Sequence, residues 1–349
     1  MVTCSQGVPS NNTLVSCHTP FNTTAFINFL KDFTRIECLA FKFLGALGHA
    51  IPWALVHEAS LLSRLRHLEV DGFYLYREPD HVGMMPARRS LRGSLTSFAY
   101  RKGDFRSALA LSSEQPAIET AVQALHDTLE RLVLPTESAP VQLISSLPWP
   151  HLREFYLNGA RWTDPNASPL TLFVGMSRLR VLVLDLIDDP NCETAPPVWP
   201  HHISMSKSFP WPELERISIS NPTPSDQVYA HLPQTLRSLS LRPYPHHCVA
   251  LWKKRKFTYT LRHDDPRLHS PLPSAETVQR ILDSCSSITG LRELSLEYRA
   301  DGTEQEMFRT AIDKFPHLRT LEVHRYRDTS RHEGTPDFVS TYPAAYPDS

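Results

Sequence analysis

Residues 150–159, PHLREFYLNG, contain the sequence pattern from which the fold of this chain can be predicted. The stretch contains an apolar residue, two others, an apolar residue, one other and a final apolar residue, at Leu152, Phe155 and Leu157. Phe155 and Leu157 are two positions apart, which is the period of a β-strand with one buried face. The same spacing recurs on both sides of this stretch, as in SRLRVLVLD at 177–185 and PHLRTLEV at 316–323.

Copies of this spacing account for most of the chain and predict about 10–11 irregular repeats. The clear copies begin at Leu65, Leu129, Leu152, Leu179, Leu214, Leu236, Leu291 and Leu318, and two weaker copies begin at Ile36 and Leu95. Successive copies begin 22 to 35 residues apart, with one wider interval of 55 residues. The wider interval predicts a degenerate repeat within residues 243–290.

A single short strand cannot bury its apolar face alone, so the copies are expected to stack into a parallel sheet. The connections between them must then return along the other side as helices or irregular coil. The sequence therefore predicts an α/β fold over residues 1–330. This fold is a curved solenoid with a parallel concave sheet and helical or irregular convex returns, and residues 331–349 are expected to form a flexible C-terminal tail.

Amphipathic stripes predict helices in four returns, which begin near Thr24, Pro116, Ser274 and Thr303. Thr303 and Glu306 have the spacing of a capping box. Phe29 in the first of these helices and Ile312 in the last are among the side chains predicted to point inward. Aromatic-proline pairs precede several strands, as at Trp149-Pro150 and Trp211-Pro212, and the aromatic ring is expected to fill the core there.

The stretches PHLREFYLNG, SRLRVLVLD, PELERISIS, PQTLRSLSL, GLRELSLE and PHLRTLEV resemble the repeats of leucine-rich-repeat proteins, and in particular the irregular, proline-rich arrays of fungal F-box proteins. The resemblance covers Ile36 to Val323. It implies a substrate receptor of a cullin-type ubiquitin ligase, in which an N-terminal F-box docks a Skp-type linker and the repeats hold the substrate. An F-box usually opens with a Leu-Pro-x-Glu-like segment, and none precedes Ile36 here. Either the box has been lost or the gene model is truncated, and a free-standing repeat scaffold is the alternative.

Composition narrows the class of partner. The 349 residues have a formal net charge of −1 and a pI near 7, which disfavours long-range attraction to nucleic acid or to an anionic membrane. Neither a signal peptide nor a membrane span is visible in the sequence, so a cytoplasmic or nuclear location is expected. The six scattered cysteines are interpreted as free thiols.

Catalytic and metal signatures are missing from the sequence. It contains no G-x-S-x-G, no P-loop and no G-x-G-x-x-G, so we expect no enzyme activity and no cofactor. His246, His247 and Cys248 lack a second ligand pair at a zinc-like interval, so they are interpreted as solvated loop residues and no metal is expected. The basic run Lys253-Lys254-Arg255-Lys256 has three readings: an import signal, a phosphate-binding patch or the exposed side of the degenerate repeat.

The candidate site follows from the strand register, because residues between and just after the inward apolar positions must point out of the concave face. Val133, Tyr156, Val181 and Val183 then form one apolar patch for a protein partner. Its polar surroundings are Arg131, Glu154, Asn158, Asp185 and Arg216. The alternative is that the valines reflect strand propensity, or that another segment folds over them. The sequence thus predicts a non-catalytic protein-protein interaction module.

Overall fold

The structure is a computed structural model that describes residues 2–4, 23–32, 35–43, 49–76, 95–101, 111–160, 167–187, 197–201, 209–244, 246, 272–285 and 287–327. The chain divides into two compact units, Met1–Leu152 (unit 1) and Arg153–Ser349 (unit 2). The predicted tail and the basic run Lys253–Lys256 lie outside the described residues. None of the described helices has the length and apolar character needed to span a membrane.

Unit 1 contains a parallel sheet and four helices within the described residues. The sheet consists of β1 (Val2–Cys4), β2 (Cys38–Phe43), β4 (His67–Asp71), β6 (Ser97–Arg101) and β7 (Arg131–Pro135), which pair in that order. A second parallel pair joins β3 (His49–Pro52) to β5 (Phe73–Tyr76). The helices are α1 (Thr23–Lys31), α2 (Trp53–Ser60), α3 (Leu111–Leu125) and α4 (Val141–Ser146).

Unit 2 contains a second run of parallel strands and four further helices in its described part. The strands are β8 (Glu154–Ala160), β9 (Val181–Ile187), β10 (Arg216–Ile219), β11 (Ser238–Leu241), β12 (Glu293–Arg299) and β13 (Thr320–Tyr326), each paired with the next. The helices are α5 (Pro169–Phe173), α6 (Val228–His231), α7 (Ala275–Ser284) and α8 (Glu304–Lys314).

The predicted α/β class and the parallel pairing are confirmed, because each copy of the repeat spacing supplies one parallel strand. The core leucines predicted for unit 2 are all at most 2% exposed: Leu182, Leu184, Leu239, Leu241, Leu294 and Leu296. In β13 the equivalent residues Leu321 and Val323 are only half-buried. The curvature of the sheet and the single solenoid over residues 1–330 stay predictions.

The pairing of β3 with β5 was not predicted, since neither strand has the repeat spacing. β5 follows β4 after a single residue, Gly72, whose φ is 77°. Residues with a side chain rarely adopt this left-handed conformation, so the glycine allows the chain to leave one sheet and enter the other. Farther along the chain, β11 pairs directly with β12. The degenerate repeat predicted within residues 243–290 lies largely outside the described residues.

Two helical side chains predicted to be inward are exposed instead, Phe29 at 52% and Ile312 at 69%. Each is one residue away from a buried neighbour, Leu30 and Ala311 respectively. One residue turns the side chain by about 100° around a helix, so the buried stripe passes beside these two positions. The helix predicted to start behind Pro116 begins earlier, at Leu111, and contains that proline.

The predicted capping box at Thr303 does not form. Thr303 occupies the N-cap of α8, but φ −96° and ψ 7° are outside the extended region that capping requires, and its side chain makes no cap hydrogen bond. Its hydroxyl donates instead to Asp301 Oδ1 at 2.6 Å. Asp301 also accepts from the backbone N–H groups of Thr303 and Glu276, at 3.0 and 2.9 Å, so one carboxylate serves the starts of α8 and α7.

The aromatic residues that precede the repeat prolines are buried, as predicted: Trp149, Trp211 and Phe315 are at most 3% exposed. Both indole nitrogens find backbone acceptors at 2.9 Å, Trp149 on the carbonyl of Ile144 and Trp211 on that of Phe173. A buried indole N–H needs such a partner, so each ring fills the core without leaving a polar atom unsatisfied.

Candidate functional site

The strand register of unit 2 arranges its side chains in rows. Residues at matching positions of β8 to β13 point to the same face, and one face carries the buried core residues such as Leu182 and Leu239. The opposite face of β8–β13, which is mostly half-buried or exposed, is called the open face here. Its first row is Glu154, Val181, Arg216, Ser238, Glu293 and Thr320, and its second row is Tyr156, Val183, Ser218, Ser240, Ser295 and Glu322.

Seven of the nine predicted site residues come together on this open face. They lie on three neighbouring strands: Glu154, Tyr156, Asn158, Val181, Val183, Asp185 and Arg216. Tyr156 is paired with Val183, and Val183 is paired with Ser218 on the far side. Both Tyr156 and Val183 are half-buried. The ring and the isopropyl group therefore present adjoining apolar surface in the second row.

Polar side chains surround this pair. The hydroxyl of Tyr156 donates to Glu154 Oε2 at 3.1 Å, which fixes the ring against its own strand. Arg216 reaches across Ser238 to Glu293, with 3.6 Å between Arg216 Nη2 and Glu293 Oε2. Both partners of this ion pair are about half exposed, so it orients the side chains more than it stabilises the fold.

The other two predicted site residues, Arg131 and Val133, belong to unit 1. Val133 is 1% exposed and offers no surface to a partner in this structure. Its paired neighbour on β6, Ala99, is 3% exposed, and Ser97 beside Arg131 is 5% exposed. Both faces of β6 and β7 are therefore covered at these positions, whereas Arg131 itself is half-buried.

Beyond Tyr156 and Val183, the open face carries a hydrogen-bonded ionic network at the ends of β11–β13. Arg242, directly after β11, donates through Nη1 to Glu322 Oε2 at 2.8 Å and lies with Nη2 2.8 Å from His246 Nε2. His246 Nδ1 lies 2.8 Å from Glu297 Oε2, and the hydroxyl of Tyr326 donates to Glu297 Oε1 at 3.0 Å. The Glu297 side chain is fully buried. His246 and Tyr326 thus hold one buried carboxylate in place, and Arg242 connects His246 to Glu322.

The second carboxylate of this network, Glu322, also has several partners. It accepts from Ser295 Oγ at 3.1 Å and lies 3.2 Å from His324 Nε2. Burial opposes its ionisation, but the positive charge of Arg242 and the hydrogen bonds from Ser295 and His324 outweigh burial and lower the pKa of Glu322. Glu322 therefore stays ionised at pH values below the usual pKa range of a glutamate.

Asp185, which lies two residues after Val183 on β9 and is paired with Asn158, has the opposite shift. Burial raises its pKa, and this effect exceeds the lowering by the Ser218 hydroxyl, 3.4 Å away, and by the positive charges of His246 and Arg242. The open face thus combines an apolar pair, a row of three serines and carboxylates with opposite pKa shifts. Such a surface can bind a partner through both apolar contact and directed hydrogen bonds.

Comparison with known proteins adds little to this description. No protein-family model matches the chain, and no curated protein matches it. Among solved structures, the chain is similar to one in the crystal structure of the Rad7 and Elc1 complex in yeast, with a TM-score of 0.42 and 14% sequence identity. That match covers 85% of this chain and 72% of the other.

Sequence reasoning placed Arg242, Glu297, Glu322 and His324 on the outward face but gave them no role. His246 was interpreted as a solvated loop residue; its side chain is 38% exposed and also bonds to Glu297 and Arg242. Its partners are 51 and 4 residues away in the sequence, so no local motif could identify them. His247 and Cys248 lie outside the described residues. In the described ranges, no group of three or more histidine, cysteine or acidic side chains is placed to hold a metal ion.

Proposed function

We propose that this chain is a non-catalytic protein-interaction module that binds a protein partner through the open face of unit 2. The observation that carries the proposal is the adjoining Tyr156 and Val183, half-buried at positions where a solvated strand would present polar residues. Tyrosine is enriched at the centres of protein interfaces, where its ring supplies large contact area at a small entropic cost. Glu154, Asp185 and Arg216 supply polar groups around it.

Two features of unit 2 support a function without catalysis. In a serine hydrolase, the histidine lies between the serine and the carboxylate and removes the serine proton. Here the carboxylate of Glu322 lies between Ser295 and His324, so this histidine is not placed to activate that serine. Burial also raises the pKa of the Cys285 thiol to about 12, which keeps it protonated and a poor nucleophile at neutral pH.

The resemblance of the repeats to leucine-rich-repeat arrays supports a finer proposal. The chain is the substrate-recognition part of an F-box-like ubiquitin-ligase adaptor that works in the cytoplasm or nucleus. The second candidate is a free-standing leucine-rich-repeat scaffold with no ligase link. Neither candidate requires a cofactor, a membrane or a nucleic acid.

A double substitution on the open face tests the binding proposal. Tyr156→Ala combined with Val183→Asp removes the ring and places a charge in the second row, so capture of the partner should be lost while the melting temperature stays nearly unchanged. Val174→Asp is a matched control, because Val174 is a 50% exposed valine of the same unit next to α5. Affinity purification with quantitative mass spectrometry of the wild type and both variants gives the readout.

The partner should be retained by Val174→Asp and lost by the double variant. Retention by the double variant, or a collapse of its thermal transition, would contradict an open-face site. Co-purification with a Skp-type linker from the native source then separates the two finer candidates. A linker recovered in stoichiometric amount supports the ligase adaptor, and partner capture without any linker supports the free-standing scaffold.

A further inference from the structure

In unit 2, arginine follows the first leucine of most repeats. The residues at this position are Arg153, Arg180, Glu215, Arg237, Arg292 and Arg319. Backbone hydrogen bonds connect neighbouring members at the starts of the strands: the Arg292 N–H donates to the Arg237 carbonyl and the Arg319 N–H to the Arg292 carbonyl, both at 2.8 Å. Arg237, Arg292 and Arg319 therefore stand directly before three adjacent strands, β11, β12 and β13, which lie about 4.8 Å apart.

Arg180, on the same edge, differs from these three arginines because it forms ion pairs. Arg180 is neutralised by its own unit, since Glu213 lies 3.4 Å and Glu215 3.7 Å from its guanidinium. For Arg237, Arg292 and Arg319, the described part of the chain places no carboxylate within ion-pair distance. Three like charges on neighbouring strands repel one another, and an external anion would relieve that repulsion.

A groove of about 420 Å³ lies along the same edge. Its lining consists of Arg237, Gly290, Arg292, Pro316, His317, Leu318 and Arg319. Pro316 and Leu318 supply apolar surface beside the charged groups. This volume lies within the range of pockets that hold small ligands, and the groove is partly open to solvent, so the three cations line an open groove.

Arg237 is held in a fixed position in this groove. Its Nη1 donates to the carbonyls of Gly290 at 3.0 Å and Gln234 at 3.3 Å. A Cβ atom at Gly290 would lie 2.0 Å from that Nη1, so the guanidinium occupies this place only because residue 290 has no side chain. With Nη1 engaged, the Nε and Nη2 donors remain as an edge that matches the two oxygens of one carboxylate.

We propose that the groove formed by Arg237, Arg292 and Arg319 binds an extended acidic segment of a partner protein. The cations span two strand spacings, roughly 10 Å, and carboxylates three residues apart in an extended chain span about the same distance. The positive stretch ends at Glu215, which occupies the next position and pairs with Arg180, so it is short for the backbone of a nucleic acid. This site lies one residue before the first row of the open face and does not depend on binding there.

Fluorescence anisotropy with the full chain and a labelled octa-aspartate tests the proposal, with octa-asparagine as the uncharged twin. Octa-aspartate should bind and octa-asparagine should not, and the affinity should fall as salt rises from low to molar concentration. Arg292→Gln and Arg319→Gln should each weaken binding about three- to fivefold, the effect of losing one exposed ion pair. Arg309→Gln is the matched control, because it removes the same charge from a 56% exposed side chain on α8 and should leave binding unchanged.

Gly290→Ala tests the position of the Arg237 guanidinium separately from the charge of the groove. It keeps every arginine but displaces the Arg237 guanidinium, so binding should weaken about as much as in Arg292→Gln. If this variant does not fold, the two glutamine variants decide. Two further probes are an eight-nucleotide oligothymidylate and a peptide with one phosphoserine. The proposal is overturned if either probe binds more tightly than octa-aspartate and its binding depends on the same arginines. Equal binding by wild type, Arg292→Gln and Arg319→Gln would also overturn it.

Discussion

Strand β7 of unit 1 and strand β9 of unit 2 have almost the same sequence pattern but different surroundings. β7 contains Leu132-Val133-Leu134 and β9 contains Leu182-Val183-Leu184, and the leucines are buried in both. The central valine is 1% exposed in β7 and half-buried in β9. The repeat spacing therefore determines the direction in which a side chain points, whereas residues elsewhere in the chain determine whether that side is covered.

The largest expected effect comes from placing a charge at each of the two valines. Val133→Asp buries a carboxylate without a partner and loses apolar burial, which should reduce the free energy of unfolding by more than about 5 kcal/mol and unfold unit 1. Val183→Asp should cost less than about 1 kcal/mol, because its carboxylate can reach water. Urea denaturation followed by circular dichroism measures both. Similar losses for the two variants would show that the valines are equally covered.

Neighbouring residues on strand β11 of unit 2 also differ in burial. Leu239 is 0% exposed and Ser240 beside it is half-buried on the open face. Leu239→Ala should lower the free energy of unfolding by about 2–5 kcal/mol, the usual cost of a cavity in a core. Ser240→Ala should change it by less than about 0.5 kcal/mol. A thermal transition that is unchanged by Leu239→Ala would contradict the strand register.

Most of the fold could be predicted because its determinants are local and recurrent. A spacing such as that of Leu236, Leu239 and Leu241 identifies a strand, its buried face and its parallel neighbours. The same register brought Tyr156 and Val183 together correctly. The pairing of β3 with β5 could not be predicted, because it depends on the left-handed conformation of a single residue, Gly72, and not on a recurring pattern.

The ionic network shows why part of the candidate site could not be predicted from the sequence. The burial of Glu297 depends on Arg242 and His246 from one connection and on Tyr326 from the next strand, and no sequence spacing joins these residues. The burial of Val133 also depends on packing that no local sequence spacing specifies. The direction in which a strand side chain points is a local property that can be predicted from a sequence pattern. The exposure of that side chain depends on packing between segments that are distant in sequence.

The smallest expected effects are two pH dependences of opposite sign on the open face. The raised pKa of Asp185 means that the folded chain holds this proton at higher pH than the unfolded chain, so stability falls as pH rises above about 3.8. The lowered pKa of Glu322 means that its contribution to the free energy of unfolding is present above about pH 4.5 and is lost as pH falls below that value.

Asp185→Asn should therefore become more stable relative to wild type as pH rises from 3.5 to 7, and Glu322→Gln should become less stable relative to wild type over the same range. Each difference should stay within about 1 kcal/mol, because both groups are only partly shielded from solvent. Urea unfolding at several pH values measures the two slopes, and slopes of the same sign would show that burial at Asp185 does not outweigh its polar neighbours.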